Sequence, residues 1–176
     1  MLLRGFATED APLLIQEVSR IAESAGFRQL ETRGGYRMSV AMTNCGRVGW
    51  VSDRTGYRYD PRDPQTGAVW PPIPAVFLAI AERAAASAGF DGYDPDACLI
   101  NRYVVGSRLG LHQDRDEKDA RAPIVSISLG VPVRCAACSS KTAMSPYGAA
   151  PLALSSTESL RSNPAGILLL EPIALI

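Results

Sequence analysis

Histidine is almost missing from this chain: His112 is the only one. A site built on imidazoles must therefore use that residue alone or take its other donors from different side chains. An excess of charge of either sign is also missing, since 18 Lys and Arg balance 18 Asp and Glu. That excludes a general polyanion binder and leaves room only for a local patch or a site for a short strand. No stretch approaches the roughly 18 apolar residues of a membrane span, so no membrane association is expected. Arg4, Glu9 and Asp10 interrupt the apolar start, so no signal sequence is expected either, and a cytoplasmic monomer is. Cysteine is sparse. Cys45 and Cys98 sit in apolar surroundings and read as buried thiols, while Cys135 and Cys138 form a lone C-x-x-C, too weak a signal to carry a metal or redox role. There are no internal repeats.

What is present is an ordinary globular composition, 47% apolar and 20% charged over 176 residues, enough for one domain with a core. Thr8 reads as an N-cap, followed by Leu13, Leu14, Val18, Ile21, Ala22 and Ala25 at helical spacing until Gly26. Met38–Thr43 and Val48–Val51 read as short strands. Ser52–Pro72 reads as a long loop rich in Asp, Pro, Gly and Tyr, the kind that is usually functional. Pro74 opens a second helix (Val76, Phe77, Ile80, Ala81, Ala84) that ends near Gly89. Ala97–Val104 is a strand, and Pro123–Leu129 alternates as a half-buried strand does. The pattern predicts an α+β protein with a β-sandwich or barrel core.

Composition changes abruptly after Val131. Beyond it the only charged residues are Arg134, Lys141, Glu158, Arg161 and Glu171, the only aromatic is Tyr147, and Ala, Ser, Leu and Pro dominate. No helical or strand period persists there before the apolar end, Gly166–Ile176. The expected organisation is a domain over 1–130 and a low-complexity tail over 131–176.

The chemistry concentrates in L-H-Q-D. His112 and Asp114 are two apart, so in an extended segment an imidazole and a carboxylate point to the same side. That pair suits a divalent first-row metal such as Fe(II), whose oxygenase sites combine histidines with one carboxylate. H-x-D also suits an exposed polar pair, and the charged run Arg115–Asp119 also suits a solvated turn. Asn101 and Tyr103 share one face of the L-I-N-R-Y strand, where an amide and a phenol can hydrogen-bond a small polar ligand or serve as core residues. Trp50, Tyr57 and Tyr59 flank the long loop, placed either to stack on a planar base or to pack.

In order along the chain stand F-R-Q-L (27–30), G-G-Y-R-M-S-V-A-M-T-N-C-G (34–46), G-W (49–50), G-Y-R-Y (56–59) and D-P-Q-T-G (63–67). D-A-C-L-I-N-R-Y (96–103), L-H-Q-D-R-D-E (111–117) and R-A-P-I-V-S-I-S-L-G (121–130) follow. This combination resembles the AlkB family of Fe(II)/2-oxoglutarate dioxygenases, which remove alkyl groups from nucleic-acid bases. The resemblance implies a double-stranded β-helix (jelly-roll) core with N-terminal helices. It implies His112 and Asp114 as iron ligands, Asn101 and Tyr103 as contacts of 2-oxoglutarate, and Trp50 and Tyr57 as the walls of a methylated-base pocket. Asp116 would accept a hydrogen bond from the base's exocyclic amino group, with Glu117 nearby. Thr32, Tyr36, Met38 and Met42 would belong to a nucleotide-recognition lid. The substrates implied are methyladenine and methylcytosine in single- or double-stranded DNA, or in RNA. The family oxidises the N-methyl group with O2 while 2-oxoglutarate becomes succinate, and the hydroxymethyl product releases formaldehyde.

The family also needs a second histidine downstream and two arginines that pair with the carboxylates of 2-oxoglutarate. After Gly130 there is no histidine, and Arg134 and Arg161 lie in no matching motif. The strands that would close the β-helix are not recognisable, and the chain as written is expected to bind iron and cosubstrate poorly and to be inactive. The loss of a segment after Pro132 together with a shift of reading frame, by mutation, sequencing error or a wrongly called intron, would account for this. If each new codon takes the third base of one codon and the first two of the next, Thr142–Pro151 permits G-D-V-A-V-W-G-G-P. Ser156–Ile167 then permits H-G-V-x-P-L-K-P-G-x-H, and Glu171–Ile176 permits A-Y-R-I-N. Two other readings use the same residues: a non-catalytic nucleic-acid-binding remnant, and an unrelated metal-binding β-domain.

Overall fold

The computed structural model describes residues 1–109 and 122–130, together with the strand backbones of 152–155 and 169–175. The elements run β1 (Leu2–Arg4), α1 (Ala11–Ser24), β2 (Arg28–Glu31), β3 (Arg37–Gly46), β4 (Gly49–Asp53), β5 (Gly56–Asp60), α2 (Ala75–Ser87), β6 (Ala97–Tyr103), β7 (Val125–Leu129), β8 (Leu152–Ser155) and β9 (Leu169–Leu175). Seven strands form one sheet in the order β1-β8-β7-β9-β6-β3-β2, while β4 and β5 pair as a separate hairpin. With its helices packed on one sheet face, this is the α+β jelly-roll architecture the sequence predicts.

The two helices exist because their apolar stripes have somewhere to go. Leu14, Val18 and Ile21 of α1 and Phe77, Ile80, Ala81, Ala84 and Ala85 of α2 are buried together with Cys45, Cys98, Ile100, Val125, Ile127 and Leu129. Burying a side chain the size of Phe77 contributes about 1.5–3 kcal/mol. Cys45 and Cys98 are thus buried thiols as expected, directly opposite each other on β3 and β6. Burial pushes the Cys98 thiol well above its ordinary range.

Several local expectations are corrected. The N-cap position of α1 is Asp10 rather than Thr8, and it makes no side-chain cap. Its carboxylate is taken by Arg83 of α2 at 2.7 Å, and Pro12, which lacks an N–H to satisfy, opens the helix instead. The Ser52–Pro72 segment is not all loop, because Gly56–Asp60 turns back on Gly49–Asp53 as a strand. Arg58 holds this polar hairpin together, reaching Asp53 at 3.0 Å and Asp60 at 3.5 Å. Its hydrogen bond, with those from Thr55, keeps the Asp53 carboxyl well below the usual carboxylate range. The strand expected over Met38–Thr43 is longer, running from Arg37 to Gly46, and the short strands β1 and β2 had no recognisable pattern.

The tail also contributes strands where none was recognisable. β8 pairs in parallel with β1 and β7, and β9 lies between β6 and β7. The fit of β9 is uneven. Its register slips against both neighbours, between Leu170 and Ile173, and the slip contains Pro172. Proline has no N–H for a ladder and is seldom found in an interior strand. Cys135 and Cys138 lie outside the described residues.

Candidate active site

The second face of the sheet, away from the helices, carries the predicted polar residues. Cys45 belongs to the helix side, so strand alternation turns Asn44, Met42, Val40 and Met38 the other way. On β6 the corresponding set is Leu99, Asn101 and Tyr103, and β3 and β6 place Met42 opposite Asn101 and Asn44 opposite Leu99. Leu30, Val40 and Met42 form a small buried cluster, against which Met38, Trp50, Leu99 and Tyr103 all pack. Asn101 is buried, and its carboxamide lies two residues from the Tyr103 phenol on the same face.

Trp50 and Tyr57 come together on the β4–β5 hairpin, their rings stacked at 5.6 Å and 14°. Trp50 is partly buried, whereas half of Tyr57 is open to solvent. Gly49, just before Trp50, is a close-approach position: a Cβ there would stand 2.6 Å from the Trp70 ring and 2.8 Å from Asn44 Cβ. Trp70 is buried and donates its indole N–H to the Asp60 carbonyl at 2.9 Å.

Beyond the hairpin the chain is tied back by Asp63. Arg28 of β2 donates to both carboxylate oxygens, at 2.7 and 2.5 Å, and its guanidinium lies 5.6 Å from the centre of the Trp70 ring. Gln65 N–H and the Thr66 hydroxyl also donate to Asp63, each at 2.9 Å. Burial by itself would raise the Asp63 carboxyl, but these four donors and the Arg28 charge bring it net below its ordinary value.

The residues expected in a lid occupy the β2–β3 turn and the start of β3. Thr32 N–H donates to the Tyr36 carbonyl at 2.8 Å, and Tyr36 N–H donates to Thr32 Oγ1 at 3.1 Å. Gly35 takes the positive φ of 80° that the turn needs. Tyr36 is 78% exposed, so its ring is free to meet a ligand. The segment after β6 is fastened to the same strand: Ser39 Oγ donates to the Arg108 carbonyl at 2.9 Å and accepts from Arg108 N–H at 2.8 Å. That anchor stands four residues before His112.

The structure therefore brings Asn101, Tyr103, Met38, Met42 and Trp50 to one face, with Tyr57 stacked on Trp50 and Thr32 and Tyr36 at the turn leading into β3. His112, Asp114, Asp116 and Glu117 lie outside the described residues. The residues that reasoning from sequence missed are Arg28, Asn44, Gly49 and Asp63. Each stands in a stretch that matched the family without having a role. As a donor set, a buried carboxamide and a neighbouring phenol fit the polar end of a small oxo-acid, and the H-x-D pair fits Fe(II).

The family model described as the 2OG-Fe(II) oxygenase superfamily matches residues 1–161. The Alpha-ketoglutarate-dependent dioxygenase AlkB of Escherichia coli (strain K12) is 54% identical over 132 residues, covering 75% of this chain and 61% of that protein. The DNA N(6)-methyladenine demethylase ALKBH1D of Arabidopsis thaliana is 32% identical over 151 residues, 74% of this chain and 33% of that one. A solved structure of OsALKBH1 superposes with a TM-score of 0.59 at 29% identity, over 70% of this chain and 62% of that chain. The chain belongs to the 2OG-Fe(II) oxygenase superfamily, and over 75% of its length it is similar to the AlkB protein of Escherichia coli. It spans less than two thirds of the length of the curated relatives it matches.

Proposed function

We propose that the chain carries the front half of an Fe(II)/2-oxoglutarate-dependent dioxygenase that dealkylates N-methylated adenine or cytosine in DNA or RNA. The observation that carries this reading is that Tyr103 and Trp50 pack on the same Leu30–Val40–Met42 cluster. A residue for the cosubstrate and a residue for the base are thereby held side by side. The names of the relatives, an Alpha-ketoglutarate-dependent dioxygenase and a DNA N(6)-methyladenine demethylase, support the same chemistry.

In this reading Asn101 and Tyr103 hydrogen-bond 2-oxoglutarate, and His112 and Asp114 hold the iron. Trp50 and Tyr57 offer a preassembled aromatic surface to a flipped-out base. Asp116, with Glu117, accepts the exocyclic amino group, which favours adenine and cytosine over bases lacking one. Thr32, Tyr36 and Met38 grip the nucleotide, with the Thr32–Tyr36 turn fixing the exposed ring. Met42, buried in the cluster beneath, supports Met38 and Trp50. When bound, iron and 2-oxoglutarate would activate O2, one oxygen atom of which hydroxylates the N-methyl group while 2-oxoglutarate becomes succinate and CO2. The hydroxymethyl group then leaves as formaldehyde.

The family-like sequence ends at 130, although β8 and β9 of the tail pair within the same sheet. Residues 131–176 are the product of a lost segment and a shifted reading frame that have displaced the second histidine and an arginine of the family. The uneven seating of β9 around Pro172 supports this. The test is a demethylation assay with a methyladenine- or methylcytosine-bearing oligonucleotide, Fe(II) and 2-oxoglutarate. The expected outcome is no turnover by this chain, and turnover once the lost segment and the frame are both restored. Turnover by the chain as written would overturn the claim of an incomplete site. Binding is a separate matter, because the aromatic surface does not depend on the metal. Titrating single-stranded oligonucleotide at two salt concentrations measures it directly.

A further inference from the structure

Trp50 can select a base only if its ring is held in place, yet the hairpin that carries it forms no ladder with the main sheet. β4 pairs with β5, and the two make a sheet of their own. We propose that Asn44 is the positioning residue of this aromatic surface, its buried carboxamide standing in for the missing strand pairing at Trp50. The inference rests on the reading of Trp50 and Tyr57 as base-stacking residues.

Trp50 N–H donates to Asn44 Oδ1, and Asn44 Nδ2 donates to the Trp50 carbonyl, both at 2.9 Å. This is the exchange of two hydrogen bonds that a hydrogen-bonded pair makes in an antiparallel ladder, here made by one side chain against one backbone residue. Asn44 is 3% exposed, so water cannot replace it. Its reach depends on Gly49, where any side chain would separate β3 from β4. Its own strand is fixed by the pairing of Asn44 with Leu99 on β6. The Trp50 backbone is thus tied to the same strand as Met38 and Met42. The ring then follows, because it is confined between the Leu30–Val40–Met42 cluster and the Tyr57 ring. No shorter or longer side chain makes both bonds: Asp lacks the donor, Ala lacks both partners, and Gln carries its amide one methylene further.

The experiment uses the full chain labelled with 5-fluorotryptophan. Its two tryptophans, Trp50 and Trp70, give two fluorine resonances, assigned with Trp50→Phe. A cooperative thermal unfolding transition reports whether the fold is intact, because Trp70 is itself held to the hairpin through Asp60. In Asn44→Asp and Asn44→Ala the Trp50 resonance should move or broaden in a protein that still unfolds cooperatively. Affinity for a methyladenine-bearing single-stranded oligonucleotide should fall roughly tenfold, within the range of a lost base–aromatic stack. A residue that only stabilised the fold would leave the Trp50 resonance of the folded protein unchanged, and that result overturns the proposal. If both variants unfold, the wild-type chain decides. The Trp50 amide should exchange with solvent as slowly as the amides paired between β3 and β6, and exchange at the rate of exposed hairpin amides overturns the proposal. Trp50→Ala tests the underlying reading separately. If it binds oligonucleotide as well as wild type, the base-stacking role fails, while the hold of Asn44 on Trp50 is still decided by the resonances.

Discussion

β3 and β9 are both interior strands of one sheet, and both lie against β6. Along β3 the register with β6 is unbroken from Ala41 opposite Arg102 to Gly46 opposite Ala97. Its buried polar residues are matched as well: Thr43 donates to the Ala25 carbonyl, and Asn44 is matched to Trp50. Along β9 the register breaks against both neighbours around Pro172. A strand written for its place satisfies its polar groups and supports something beyond the sheet. β3 has its own irregularity only at its outer edge, against β2 between Gln29 and Glu31, whereas β9 slips against both strands that flank it. The boundary between the two kinds of sequence falls where charge and aromatics become sparse, after Val131.

The strongest way to sharpen this contrast is to repair the weaker side. Restoring the lost segment and the alternative frame after Pro132 should raise demethylation from background by at least about a hundredfold, because removing essential catalytic groups costs on that order or more. Steady-state release of formaldehyde measures it. The stronger side can instead be broken. Asp63→Asn leaves the Arg28 charge partly buried without its partner, and should cost about 3 kcal/mol in urea unfolding. The same pair gives a pH dependence. The folded-state carboxyl of Asp63 lies below its ordinary value. Its contribution is therefore fully present above the unfolded carboxyl pKa of about 3.9 and disappears as pH falls through the folded value. Unfolding curves of wild type and Asp63→Asn should accordingly converge in acid. Gly49→Ala forces β4 away from Trp70 and Asn44 and should cost about 2 kcal/mol by thermal unfolding. The smallest effect is expected on β9: Pro172→Val should change stability by about 1 kcal/mol or less, in the stabilising direction. A large loss there would mean that β9 is fitted to its place after all.

Much of the frame was legible because it is periodic. Helical spacing found α1 and α2, alternation found β7, and β3 and β6 were read as strands without a clear period. Gly56–Asp60 was missed because its apolar face is two tyrosines in a run of Asp, Gly and Arg, and its stability comes from Arg58 reaching across strands. The cap at Thr8 failed for a similar reason, since Arg83, distant in sequence, decides what Asp10 does. In the site, the alternation of Asn101 and Tyr103 was readable, and so was the aromatic content of the hairpin. The role of Asn44 was not, because a side chain that pairs with a backbone outside its own ladder leaves no local pattern. The same holds for Arg28 and Asp63, 35 residues apart. His112 and Asp114 were legible from spacing and resemblance alone.

The central claim is that one gene encodes a fitted front and a displaced back. The coding DNA from Pro132 to Ile176 tests it most directly. Read one base out of register, it should spell a histidine-containing H-G-V-x-P-L-K-P-G-x-H after G-D-V-A-V-W-G-G-P. A nucleotide sequence that spells neither in that frame would contradict the account.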